Sequence, residues 1–147
     1  MRTSANGLAF IRDHEGCELV AYPDPGSGGE PWTIGVGHTG GVKPSDTCTM
    51  AQAMQWLKED VQEAERHVNR LVKVELSQDQ FDALVSLVFN IGGGNFERST
   101  LLKKINARNF DGAAEEFPRW NRAAGKVMAG LTKRRHAEQS LFQSEFA

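Results

Sequence analysis

The chain has 147 residues, of which 39% are hydrophobic and 24% charged, and its net charge is −2. These are the proportions of a soluble globular domain, of a size that buries roughly 70% of its unfolded surface without covalent staples. They exclude a disordered chain, a coiled coil and a disulfide-dense scaffold, and the near-neutral sum argues against a nucleic-acid partner.

That sum conceals an asymmetry. Residues 1–97 carry seven Lys and Arg against fourteen Asp and Glu, a net −7, whereas residues 98–135 carry ten against three, a net +7. The two cysteines, Cys17 and Cys48, are too few for a disulfide framework and have no zinc-ligand spacing. They read as reduced thiols, with a single Cys17–Cys48 bridge the minority alternative. No run approaches the roughly 18 apolar residues of a membrane span, so membrane insertion is not expected. Met1 to Phe10 holds one charge and no apolar stretch, unlike a secretory leader.

In chain order, Ser4 is a plausible N-cap and Gly16 a natural stop, which predicts a short helix over Ser4 to Glu15. Residues 17–48 are dense in glycine and proline and forbid a helix. Leu19 to Tyr22 and Trp32 to Val36 read there as short strands joined by a turn between Pro23 and Pro31. From Thr49 the apolar residues Met50, Met54, Leu57, Val61, Ala64 and Val68 recur at steps of three and four, the period of an amphipathic helix. Ser77 and Gln80 form a capping box ahead of Phe81, Leu84, Val85 and Val88, and Gly92–Gly94 closes that helix. Further helices are expected near 98–107, 111–121 and 131–143, with Pro118 interrupting the second. The fold class is therefore α+β: a small mixed lobe at about 15–48 and a larger all-helical lobe at about 49–147 packed with the N-terminal helix. A cleft between the lobes is the expected ligand site.

Several motifs fail on context. Gly35-Val-Gly37-His-Thr-Gly40 matches a dinucleotide fingerprint, but no helix follows it. His14-Glu15 lacks the second histidine of a zinc protease, and His38, His67 and His136 have no ligand spacing, so no metal is expected. There is no serine nucleophile elbow, and Cys17 reads as a packed thiol. Two carboxyls are more informative. Glu15 ends a helix, where local packing and the helix dipole both disfavour a bare negative charge. Asp24 lies nine residues on, in a Pro-Asp-Pro-Gly turn that is wetter. One acid and one base in contrasting surroundings are the equipment for cleaving a glycosidic bond.

The stretches His14-Glu15-Gly16, Ala21-Tyr22-Pro23-Asp24 and Trp32-Thr33-Ile34-Gly35-Val36-Gly37-His38-Thr39 resemble the active-site region of the phage-type lysozymes, the endolysins of glycoside hydrolase family 24. Gln80 to Gly92, Ser99 to Leu102 and Gly130 to Glu138 resemble the later helices of that family, so the likeness covers nearly the whole chain as one lysozyme-like catalytic domain. The resemblance implies a muramidase that hydrolyses the β-1,4 bond between N-acetylmuramic acid and N-acetylglucosamine, without a cofactor. Glu15 matches the catalytic acid, Asp24 the second carboxylate and Thr33 the hydroxyl that helps hold the attacking water. Phe89, Asn90 and Ser99 resemble cleft-lining positions, with packing or capping as the competing reading. His38 is expected as a structural histidine beside the substrate, hydrogen-bonding across the lobe interface. The implied partner is bacterial peptidoglycan, reached by a monomer made in the host cytoplasm once a holin has opened the membrane. Lys103, Lys104, Arg119, Arg122, Lys126, Lys133, Arg134 and Arg135 have two readings, steering to an anionic wall or merely solvating the helix faces. A lytic transglycosylase and a wall-binding protein without catalysis are the rival readings.

Overall fold

A computed structural model describes residues 1–144. The chain divides into two compact units, one of Leu8–Gln62 and one of Met1–Gly7 with the chain from Glu63 onward.

Helix α1 (Ala5–Glu15) starts where Ser4 caps it, the Ser4 hydroxyl accepting from the Gly7 N–H at 3.0 Å. Ser4 is itself held by the buried Asp82, to which it donates its backbone N–H at 3.1 Å and its hydroxyl. Gly7 has to lack a side chain, because a Cβ there would lie 2.6 Å from the Asp82 carboxyl carbon. Gly16 then ends α1 in the left-handed region at φ +82°.

In the Leu8–Gln62 unit, β1 (Glu18–Tyr22) pairs antiparallel with β2 (Thr33–Gly35), with Glu18 opposite Gly35 and Tyr22 opposite Thr33. The register is irregular between those two pairs. The other edge of β1 bonds to a following segment: Ala21 N–H donates to Asp46 O at 2.8 Å and Cys48 N–H to Leu19 O at 2.9 Å. Helix α2 (Met50–Asp60) packs on β2 and begins at Thr49, whose hydroxyl accepts from the Gln52 N–H at 3.1 Å. Ile34, Val36, Ala53 and Leu57 are buried here. Gly35, at φ +65°, would bring a Cβ to 3.1 Å from that of Ala53. Of the glycines that imitate a dinucleotide motif, Gly35 and Gly37 thus serve left-handed backbone, and Gly35 also allows close approach to α2. Cys17 and Cys48 are free thiols, both half-buried.

The helix expected to run from Thr49 to Val68 is two helices. Val61 closes α2 with a flattened conformation (φ −75°, ψ −10°), and α3 is Gln62–Leu71. The apolar period continues across this break, which is why periodicity alone does not register it.

In the other unit, α4 (Gln78–Ile91) has the full capping box, with Gln80 N–H to Ser77 Oγ at 3.1 Å and Ser77 N–H to Gln80 Oε1 at 2.9 Å. Every residue from Phe81 to Val88 is buried. Gly92, at φ +90°, ends α4 as expected, but a short helix α5 (Gly93–Glu97) follows at once. Next come α6 (Thr100–Asn106), α7 (Phe110–Ala114) and a 3₁₀ turn at Phe117–Arg119 where Pro118 interrupts the helix. A hairpin of β3 (Arg122–Ala123) and β4 (Lys126–Val127) breaks the otherwise helical pattern of this region. Its two central residues, Ala124 and Gly125, have φ +51° and +80°, the left-handed pair that tight hairpins require.

Helix α8 (Ala129–Phe142) packs on α4. Glu138 of α8 is fully buried, and a 2.7 Å contact pairs its Oε1 with Arg135 Nε. Its Oε2 accepts from Ser86 Oγ at 2.5 Å, Arg134 Nε at 3.2 Å and Arg135 Nη2 at 3.2 Å. Arg134 and Arg135 are themselves buried. These two cations are therefore parts of the interior and not of a steering surface, which corrects the reading of the basic run. No helix among the described residues is long and apolar enough to cross a membrane.

Candidate active site

Glu15 is the last residue of α1, where the backbone carbonyls of the final turn point their negative ends past the helix. It is exposed. Local packing does not cover its side chain as expected, because the chain turns away at Gly16 into a thinly covered strand. Glu15, Gly16, Cys17, Glu18, Tyr22 and Gly35 line one pocket of about 290 Å³. The end of α1, the start of β1 and the end of β2 therefore share a concavity.

Asp24 sits two residues beyond β1 and is half-buried. Its Oδ2 accepts from the Gly26 and Ser27 N–H groups, each at 3.0 Å, and its own N–H donates to Gly29 O at 2.9 Å. The Pro-Asp-Pro-Gly sequence thus folds back on the carboxylate and orients it, with Oδ1 outside those bonds. Thr33 opens β2, half-buried, in register with Tyr22. The hairpin consequently carries Thr33 on one strand and delivers Asp24 just past the end of the other.

Tyr22 and Glu18 were not singled out from the sequence. Burial, then the charges of Glu18 and Glu15, push the Tyr22 phenol above its ordinary value of 10.0. The phenol therefore lies within electrostatic reach of both carboxylates. Strand pairing reveals this arrangement, and no local pattern in Ala-Tyr-Pro-Asp announces it.

His38 is held by its own unit. Its Nδ1 lies 2.9 Å from Asp60 Oδ2, its ring stacks on Trp56 at 4.6 Å, and its backbone bonds in both directions with Ile34. These contacts tie the β2 turn to α2. Ser99 is 4% exposed and caps α6, donating to Phe96 O at 2.7 Å and accepting from Leu102 N–H at 3.0 Å. Both bonds are those of a helix cap, the competing reading given above for this residue. Phe89 is half-buried and Asn90 exposed near the end of α4, in the other unit from Glu15.

Comparison with known proteins gives a consistent result. The family profile described as Phage lysozyme matches residues 12–138. The chain is 43% identical over 148 aligned residues to the endolysin of Acyrthosiphon pisum secondary endosymbiont phage 1, covering 98% of this chain and 99% of that one. Among solved structures, a lysozyme mutant of phage P22 superposes with a TM-score of 0.89 at 40% identity, covering 98% of this chain and 99% of that one. The muramidase domain of SpmX from Asticaccaulis excentricus superposes with a TM-score of 0.88 at 35% identity, over 97% and 98% of the two chains. With near full-length identity above two fifths to a phage endolysin and a shared fold, the chain belongs to the phage lysozyme family.

Proposed function

We propose that this phage lysozyme hydrolyses the β-1,4 bond between N-acetylmuramic acid and N-acetylglucosamine in bacterial peptidoglycan, lysing the host. Glu15 is the general acid and gives its proton to the glycosidic oxygen as the bond to the anomeric carbon breaks. Positive charge develops on the sugar, and the Asp24 carboxylate stabilises it. Asp24 also takes the proton of the incoming water, which the Thr33 hydroxyl helps to hold. The hydroxyl of that water becomes the new anomeric hydroxyl. Proton and oxygen therefore balance across the step, with Glu15 and Asp24 reset by proton exchange with solvent.

The observation that carries this reading is the Asp24 turn. Two backbone N–H groups aim one carboxylate oxygen and leave the other outside the bonds of the turn. Glu15 in the lining of a pocket that the same hairpin also lines supports it. Phe89 and Asn90 are proposed as sugar contacts. The enzyme is proposed to reach the wall as a monomer, after a separate holin has permeabilised the membrane.

Purified peptidoglycan incubated with the wild type is expected to yield new reducing ends, identified by mass. Glu15→Gln and Asp24→Asn are each expected to lower the rate by about 10²-fold or more with the melting temperature held. Ends carrying a 1,6-anhydro sugar overturn hydrolysis in favour of a lytic transglycosylase, and no cleavage by wild type overturns the enzymatic reading.

A further inference from the structure

We infer that Tyr22 is a positioning residue of this same centre, holding the Glu15 side of the pocket while its strand partner Thr33 serves the water side. The inference rests on the assignment of Glu15 as the acid. Its basis is placement. Tyr22 lines the pocket that Glu15 and Glu18 also line, it stands opposite Thr33 in the β1–β2 register, and it precedes Asp24 by two residues. Residues directly opposite in an antiparallel pair present their side chains to the same face. One side chain therefore adjoins both halves of the proposed machinery.

The phenol suits that position chemically. With its titration pushed above the ordinary tyrosine value by burial and by the two glutamates, it stays a neutral O–H donor wherever an acid-catalysed reaction runs. It adds no charge that would compete with the carboxyl for the proton. Its ring, half-buried, occupies volume at the wall of the pocket that water would otherwise fill. A rigid aromatic wall with one polar tip restrains a glutamate more tightly than an aliphatic one, and small misplacements of a catalytic group are expensive in rate.

Tyr22 is the only tyrosine, so its phenolate absorbance near 295 nm reports one site. In the native wild type the alkaline titration is expected to have its midpoint above 10.0, and to move down in Glu15→Gln and further down in Glu18→Gln, whose charge is the larger cause. Tyr22→Phe is expected to lower kcat about tenfold with KM and melting temperature unchanged, and Tyr22→Leu to lower it further. A titration that does not move in Glu15→Gln shows that the phenol does not face the acid and overturns the inference. So does a Tyr22→Phe enzyme with wild-type kcat, which would leave only packing to the ring. Full lytic activity in Glu15→Gln would instead remove the assignment of the acid, while the titration in that variant still judges whether the two side chains adjoin.

Discussion

Tyr22 also couples the pocket to folding. Its native phenol binds its proton more tightly than the same phenol does in the unfolded chain. Folding stability contributed by this group is therefore level below about pH 10, falls as pH rises above the unfolded value, and stops falling once the raised native value is passed. Tyr22→Phe removes that dependence. Denaturant unfolding of the two proteins at pH 9 and pH 11 is expected to show the wild type losing more stability than the variant across that interval. An equal loss in both would mean that neither burial nor the two glutamates raise the phenol in the native protein. Glu15 and Asp24 could be noticed in the sequence because each sits at a local signal, a helix end and a proline-bracketed turn, whereas Thr33 came only with the family resemblance. Tyr22 could not be noticed, since its surroundings depend on which residue of β2 falls opposite it and on where α1 points.

At the scale of elements, local capping chemistry was legible and the interior partnerships were not. Ser77 with Gln80, Thr49 with Gln52, and Pro118 each act within one turn, so residues a few positions apart predict them. The break at Val61, the helix restarting at Gly93 and the hairpin around Ala124-Gly125 have weak local signals and depend on what packs beside them. The pair Arg134-Arg135 shows the difference most clearly. Within Lys133-Arg134-Arg135-His136 it reads as a solvated run, yet α8 turns both guanidinium groups inward to Glu138 and Ser86. Burial pushes the Glu138 carboxyl up, and Arg135, Ser86 and Arg134 pull it back. Taking away the carboxylate removes the anion that both buried guanidinium groups face. Glu138→Ala is accordingly expected to destabilise the protein by about 3–5 kcal/mol. By contrast, Glu63→Ala, whose carboxylate is 77% exposed and 4.0 Å from His67, is expected to cost well under about 1 kcal/mol. Equilibrium unfolding of both variants checks the pair, and a cost for Glu138→Ala no larger than that of Glu63→Ala would mean that the network is not closed in solution.

Over the whole molecule the charge is unevenly shared. The unit Leu8–Gln62, which holds Glu15, Asp24 and Thr33, has three Lys and Arg against eight Asp and Glu, a net −5. The rest of the chain has fourteen against eleven, a net +3. Subtracting Arg134 and Arg135 as interior leaves Arg98, Lys103, Arg108, Arg119, Arg122, Lys126 and Lys133 exposed in the C-terminal half. Arg119 is partly occupied by Glu116 at 3.3 Å, while the hairpin cations Arg122 and Lys126 stand on a stretch, 122 to 130, in which every residue is exposed. An acidic unit near an anionic polymer slows encounter, and exposed cations on the other unit offset that by long-range attraction. Such attraction is screened beyond about 10 Å at 0.1 M salt. Lysis of intact walls is therefore expected to slow severalfold as salt rises from roughly 0.05 to 0.3 M, a range over which the screening length falls by about half. Cleavage of a short, uncharged oligosaccharide should hardly change over the same range. Lys126→Glu combined with Lys133→Glu should reproduce the loss on walls at low salt and flatten the salt dependence. If wall lysis proves indifferent to salt, or if the double variant lyses walls at the wild-type rate, the basic surface plays no part in reaching the substrate and its charges serve only solvation.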